Sequence, residues 1–269
     1  VNAVAPLSDA EARKGGVPVV VFPHAGGSPR FFLHWTGVIP KARLYGVTYP
    51  GRDTRLQERH EDLPHGDSLV GLARSAADDI TAAGLAGPDG PGGAGPVLVG
   101  HSMGALVAYE TAAALAARGV HGVRVVASGQ NPPTHRVGTA LHRDTDEHLI
   151  ADIVRQNPAS ADLWQVPELR AMFLPVVRED YRLLETYECT GAVVPDIRVV
   201  FGDRDGEVDP VRIGEWNDFS AVQRAPVRCA GGHFYLRAPD TRLAELVRAV
   251  CAEPGSGAPT GAAHGGVRR

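Results

Sequence analysis

With 269 residues, 43% of them apolar, the chain has enough apolar material to bury one sheet between two helical layers as a single domain. A formal charge of -4 leaves no sequence-wide basic field for nucleic acid. Its three cysteines, Cys189, Cys229 and Cys251, are far apart, which excludes a disulfide framework and a structural metal cluster and suits the reducing cytoplasm.

Residues 1–16 are polar and lack an apolar signal-peptide core, so they are expected to be a flexible N-terminus. No apolar run approaches the roughly 20 residues needed to span a bilayer. The first clear element is VPVVVFP from Val17 to Pro23, a β-branched run typical of a strand buried on both faces. The turn HAGGSP follows, and PRFFLHWTGVI then has helical spacing. ARLYGVTYP reads as a second buried strand. From Ser68 to Leu85, Leu69, Leu72, Ala73, Ala76, Ala77 and Ile80 form one helical stripe. The stretch from Gly87 to Pro96 is too rich in Gly and Pro for regular structure and predicts a loop.

Next come the strand PVLVG, the helix MGALVAYETAAALAARG and the strand VRVVASG. Strand and helix in alternation predict a parallel sheet with helices on both faces. From about residue 130 to 189 the alternation stops. Three helix-like pieces, DTDEHLIADIVRQ, VPELRAMFL and PVVREDYRLLETYE, follow one another without a strand, as expected of a helical lid. DIRVVFG (strand), DPVRIGEWNDFS (helix), APVRCAGG (strand) and DTRLAELVRAVCA (helix) restore the alternation. The organisation expected is therefore a main domain over 17–252 with the lid inserted, and a disordered tail over 253–269.

Chemistry concentrates at Gly100-His101-Ser102-Met103-Gly104. The five letters alone are weak, and a Gly-rich turn with a capping serine would also satisfy them. Their place between a strand and a helix is that of a nucleophile elbow, which makes Ser102 the candidate nucleophile. A serine hydroxyl needs a base, expected downstream in the chain order Ser, acid, His. His233 follows a predicted strand at the same end of the sheet. The acid that orients it should follow DIRVVFG, where Asp205 is the first choice and Asp203 the alternative. Oxyanion donors are expected from the backbone N–H of Met103 and from the turn after the first strand, at Ala25, with Gly26 as the alternative. His24 is a candidate lining residue. No metal or cofactor is required by this chemistry.

PHAGGSPRFF, YPGRDTRLQE, GHSMGALVAYE, LPVVREDYRLLETY and AGGHFYL together resemble the type II thioesterases, the stand-alone editing enzymes of polyketide and nonribosomal peptide synthases. The resemblance runs from about Val17 to Cys251. The Pro50-Gly51-Arg52 box and the lid segment are its more specific parts. It implies an α/β-hydrolase fold with a mostly parallel central sheet, helices on both faces and a helical lid. It further implies hydrolysis of aberrant or stalled acyl groups from the phosphopantetheine arm of acyl or peptidyl carrier proteins. Ser102, Asp205 and His233 fall on the family's triad, and Met103 and Ala25 on its oxyanion positions. The extra carboxylate in FGDRDGEVD keeps Asp203 open.

The lid would roof an acyl channel, with Met172, Phe173, Leu174 and Tyr181 as candidate lining residues beside His24 and Gly26. Arg52, Arg55 and Arg59 form a basic cluster that could steer an acidic carrier or be a solvated loop. A monomer with no membrane or nucleic-acid partner is expected. Rival readings are a general carboxylesterase or lipase, an acyltransferase, a macrocyclising terminal thioesterase, and an inactive acyl-binding protein on the same fold.

Overall fold

The computed structural model describes residues 2–8, 16–39, 42–87, 95–135, 138–237 and 242–253. Seven strands form one sheet: β1 (Val4–Pro6), β2 (Pro18–Phe22), β3 (Arg43–Val47), β4 (Val97–His101), β5 (Arg124–Ser128), β6 (Asp196–Gly202) and β7 (Val227–Cys229). Their order is β1-β3-β2-β4-β5-β6-β7; β1 pairs antiparallel with β3 and every other pairing is parallel.

Successive strand side chains point to opposite faces, and both faces are covered. Val20, Phe22, Leu98, Val125 and Ile197 join one core cluster, while Val19, Val21, Val99, Val126 and Val200 join the other. This two-sided burial is why the strands read as unbroken apolar runs rather than alternating ones. The first face carries α2 (Leu69–Ala82) and α3 (Met103–Ala117). The second is covered by Phe32, by Trp35 of the single-turn helix α1 (Trp35–Val38), and by α6 (Arg242–Ala252). Ser68 caps α2 by accepting the Gly71 N–H at 3.0 Å, and the predicted apolar stripe is the buried one.

The lid contains α4 (Asp146–Gln156), a 3₁₀ stretch over Pro158–Gln165, and α5 (Pro167–Glu185). Leu149, Trp164, Leu174, Val177 and Tyr181 give it a core of its own. Among the described residues, no helix is long and apolar enough to cross a membrane.

Several expectations are corrected. The N-terminal segment is not wholly flexible, because Val4–Pro6 pair with β3 and Ala3 donates its N–H to Asp79 at 2.9 Å. Residues 9–15, the loop from 88 to 94 and the tail from 254 onward lie outside the described residues. The helix expected over PRFFLHWTGVI is a 3₁₀ turn, Pro29–Phe32, followed by α1. The helix expected over DPVRIGEWNDFS is a 3₁₀ segment, Ile213–Phe219. Finally, VPELRAMFL and PVVREDYRLLETYE form one helix, α5, running through Pro175. Proline removes the bond to the carbonyl of Ala171, and Ala171 is at the exposed surface, where the loss of one ladder bond is tolerated and the helix continues.

Candidate active site

Ser102 sits between the end of β4 and the start of α3, with φ 54° and ψ -127°. Its N–H donates to the Ser128 carbonyl on β5 at 2.8 Å, and its own carbonyl accepts from Ala105 at 2.8 Å. The tight turn depends on its two glycines. A Cβ on Gly100 would lie 2.0 Å from the Gly104 carbonyl, and one on Gly104 would lie 2.2 Å from the Phe22 carbonyl. No residue with a side chain fits at either position.

His233 lies in the loop after β7 and Asp205 in the loop after β6, both buried. The His233 Nδ1 is 3.0 Å from each carboxylate oxygen of Asp205. Its Nε2 is buried without a hydrogen-bond partner among the described residues. Asp203 does something else: its carboxylate accepts the Gly231 N–H at 2.8 Å, two residues before His233, and so pins the loop. Of the two candidate acids, only Asp205 meets the histidine.

Around His233 is a ring cluster that the sequence did not reveal. The His101 ring centroid is 4.9 Å away, and His24 stands 6.1 Å beyond that of His101. Phe234 packs edge-on against all three histidines. His101 Nδ1 is 3.0 Å from the Ser128 hydroxyl, which is 2.6 Å from the Tyr235 hydroxyl. Burial, reinforced by the nearby His233, lowers the His24 pKa to about 3 and holds that of His101 well below its usual value. Both rings are therefore neutral at pH 7 and add no positive charge beside His233. Gly129 makes room for the arrangement, because a Cβ there would lie 2.7 Å from His101 and 3.4 Å from the Asp205 carboxylate. Its backbone φ of 61° was invisible in the sequence.

At the turn after β2, the Gly26 N–H donates to Asp180 of α5 at 2.6 Å. Among the described residues, no bond occupies the N–H of Ala25 or that of Met103. These are the two donors predicted for an oxyanion, and Gly26 is spoken for.

Two cavities meet at Ser102. The first, about 210 Å³, is walled by Ile153, Leu163, Trp164, Phe173, Val177 and Phe234, with His24 and Gly26 at its base. The second, about 200 Å³, adds the polar side chains of Gln130, Asn131, Asp152, Arg155, Glu207 and His233 to an apolar wall of Leu141 and Leu184. Tyr181 and Gln156 border both. The Tyr181 hydroxyl donates to Asp152 at 2.8 Å, and Gln156 donates to both, so one polar knot separates the chambers. Phe173 lines the first chamber. Met172 does not line either chamber; it is 54% exposed and borders an outer groove with Leu56 and Val176. One residue along a helix turns a side chain by about 100°, and that step moves Met172 to the far side. Leu174 is packed in the lid core.

The basic cluster is also resolved differently. Arg52 and Arg55 are buried, the first paired with Asp180 and the second with Glu58, and only Arg59 is at the surface, beside Glu61. Two of the three charges are thus unavailable to steer a partner.

The family described as the thioesterase domain matches residues 17–252. The chain belongs to the thioesterase family. Its relatives include the probable cadicidin biosynthesis thioesterase of Streptomyces griseus, 33% identical over 90% of this chain and 66% of that protein. Thioesterase PikA5 of Streptomyces venezuelae is 32% identical over 84% of this chain and 77% of its own length. This thioesterase thus spans just under two thirds of the first relative and about three quarters of the second. Among solved structures, the type II thioesterase YbtT from the yersiniabactin NRPS/PKS pathway superposes with a TM-score of 0.79. The two are 27% identical, and the match covers 94% of this chain and all of YbtT. The thioesterase has the α/β-hydrolase fold, with the mostly parallel sheet, helical layers and helical lid described above.

Proposed function

We propose that this thioesterase is a type II editing enzyme that hydrolyses aberrant or stalled acyl groups from the phosphopantetheine arm of carrier proteins in polyketide or nonribosomal peptide synthesis. In this reading His233 donates its Nδ1–H to Asp205, which leaves the Nε2 lone pair to take the Ser102 proton. Ser102 Oγ bonds to the thioester carbonyl carbon, and the resulting oxyanion accepts hydrogen bonds from Ala25 and Met103. Collapse breaks the C–S bond, and the imidazolium returns its proton to the departing thiolate. His233 then takes a proton from water, the hydroxide adds to the acyl-enzyme, and the acid departs as Ser102 regains its proton. The first chamber, with its aromatic and aliphatic wall, would take the acyl group, and the second, richer in polar side chains, the amide-bearing arm.

The observation that carries the reading is the unpartnered His233 Nε2, held by Asp205 on its other side and bordering the cavity that Ser102 lines. Relatedness to YbtT and PikA5 supports the substrate class. Free Cys189, Cys229 and Cys251 suit the cytoplasm, where we place the enzyme.

The deciding assay compares hydrolysis of acyl-carrier thioesters with that of matched oxyesters, for wild type and Ser102→Ala. Thioester preference lost in the variant is the expected result. Comparable oxyester turnover would move the assignment to a general esterase, and activity that survives in Ser102→Ala would remove the serine from the mechanism.

A further inference from the structure

We infer that Arg52 and Asp180 are a positioning pair that shapes the oxyanion hole and ties it to the lid, an inference that rests on the hydrolase reading above. Asp180 belongs to the lid helix α5 and is fully buried, yet it touches no chamber. Its Oδ2 accepts both the Gly26 N–H at 2.6 Å and an Arg52 Nη1–H at 2.7 Å, while its Oδ1 accepts from Arg52 Nη2 at 2.7 Å. Arg52 Nη1 also donates to the Gly27 carbonyl at 3.0 Å. Below this, the Tyr49 hydroxyl donates to the Pro23 carbonyl at 3.1 Å, and the Arg52 guanidinium lies over the Tyr49 ring. The segment 23–27 is thus held at three points, and two of them are the ion pair.

The hold falls on the peptide next to the proposed donor. With the Gly26 N–H turned to Asp180, the orientation of the Ala25–Gly26 peptide is fixed, and the N–H of Ala25, on the preceding peptide, is left without a bond among the described residues. Gly26 has φ 71°, and a Cβ there would lie 2.6 Å from Val177, also on α5. Helix α5 therefore grips this turn through both a hydrogen bond and packing. The grip needs both charges. A lone carboxylate one residue from the hole would repel a developing oxyanion, and Arg52 cancels it. Burial by itself would raise the Asp180 pKa, but the Arg52 charge and its hydrogen bonds, with the His60 Nε2 3.5 Å from Oδ1, outweigh it and hold the value at about 2. The acceptor is therefore ionised throughout the working range.

The test uses Arg52→Lys, Asp180→Asn and the neutral double variant Arg52→Met/Asp180→Leu, with folding followed by circular dichroism. Three quantities are measured: kcat and KM on an acyl-pantetheine thioester, the Kd of an acyl trifluoromethyl ketone that adds to Ser102, and the Kd of the intact thioester in a Ser102→Ala background. The expected result in the double variant is a roughly 10- to 100-fold fall in kcat. That is smaller than the 10²–10³ seen on outright loss of an oxyanion donor. Ketone affinity should weaken by the same factor as kcat/KM, while the ground-state Kd moves less than twofold. Arg52→Lys, which keeps the charge but loses the two-pronged contact, should be intermediate, and it carries the test if the other variants do not fold. Ketone affinity within threefold of wild type in a folded variant would overturn the inference, as would equal losses of ketone and ground-state binding. An inert wild type, or an active Ser102→Ala, would instead sink the functional reading beneath it.

Discussion

The Nδ1 of His233 is equidistant from the two carboxylate oxygens of Asp205, at 3.0 Å from each, while Asp203 two residues earlier faces away and holds the Gly231 N–H. The two acids therefore separate in mutagenesis. Asp205→Asn is expected to lower kcat by about 10⁴, because the amide N–H favours the wrong histidine tautomer. Asp203→Asn retains an acceptor for Gly231 and is expected to stay within a few-fold of wild type. Steady-state kinetics on the pair decide it, and equal losses would mean that Asp205 merely shares a loop-holding role.

Positive φ at a residue with a side chain costs about 1–3 kcal/mol, and Ser102 bears that cost at φ 54°. Ser102→Gly should relieve it and, after the glycine's extra unfolded-state entropy is subtracted, raise stability by roughly 1 kcal/mol. Ser102→Ala, which keeps a Cβ, should gain little. Gly104→Ala should fail to fold, since its Cβ would strike the backbone carbonyl of Phe22 rather than a movable side chain. Urea titrations of the two serine variants, with soluble expression of the glycine variant, test all three.

Acid should weaken the protein through its buried histidines before it reaches Asp180. The unfolded chain protonates His24 near pH 6.5, whereas the folded ring resists down to about pH 3. Between these values the unfolded state binds the extra proton, so stability falls as pH drops, by up to about 1.4 kcal/mol per pH unit for each such ring. His101 acts in the same direction. The Asp180 contribution has the opposite origin, a depressed carboxyl pKa, and is lost only as pH falls from about 4 toward 2. His24→Gln should therefore flatten the dependence of the urea midpoint between pH 6.5 and 4 by about one proton. An unchanged slope would show that His24 is protonated in the fold.

The inner and outer faces of the lid predict opposite outcomes for two of its residues. Trp164, 7% exposed, closes the apolar chamber, so Trp164→Ala should shift the best acyl substrate to a longer chain. Met172→Ala, on the outer groove, should leave the chain-length profile unchanged. A shifted profile in Met172→Ala would place the acyl path along the groove instead.

The parallel sheet and the elbow were legible because their signals are local: β-branched runs such as VPVVVF, and two glycines bracketing a serine between a strand and a helix. Asp205 could be ranked above Asp203 from its distance past the strand end, but only the fold shows that one side chain turns inward and the other outward. The ion pair of Arg52 with Asp180 joins residues 128 positions apart. Both stood in conspicuous stretches, PGR and LPVVREDYRLLETY, yet nothing in either indicates that they meet. Arg52 and Arg55 looked like surface charge for the same reason: burial of a charged group depends on a partner that the local pattern does not contain. The continuity of α5 through Pro175 was hidden because proline is a break signal unless the freed carbonyl can face water.

Neighbouring parallel strands must be joined by a crossover of a dozen residues or more. Between β5 and β6 that crossover carries the lid, and only its final part, at Leu183, reaches the sheet core. Its two ends are anchored, the Gly129 N–H on the Val200 carbonyl and Val194 bridged to the segment at Ser220. Removing the lid would therefore cut β6 and β7 off from the other five strands, whereas a replacement of matching span would keep the sheet joined. A relative's crossover grafted between Gly129 and Val194 is thus a natural unit for retargeting the enzyme only if it brings its own partner for Arg52, as Asp180 is here, and an apolar side chain where Leu183 enters the sheet core.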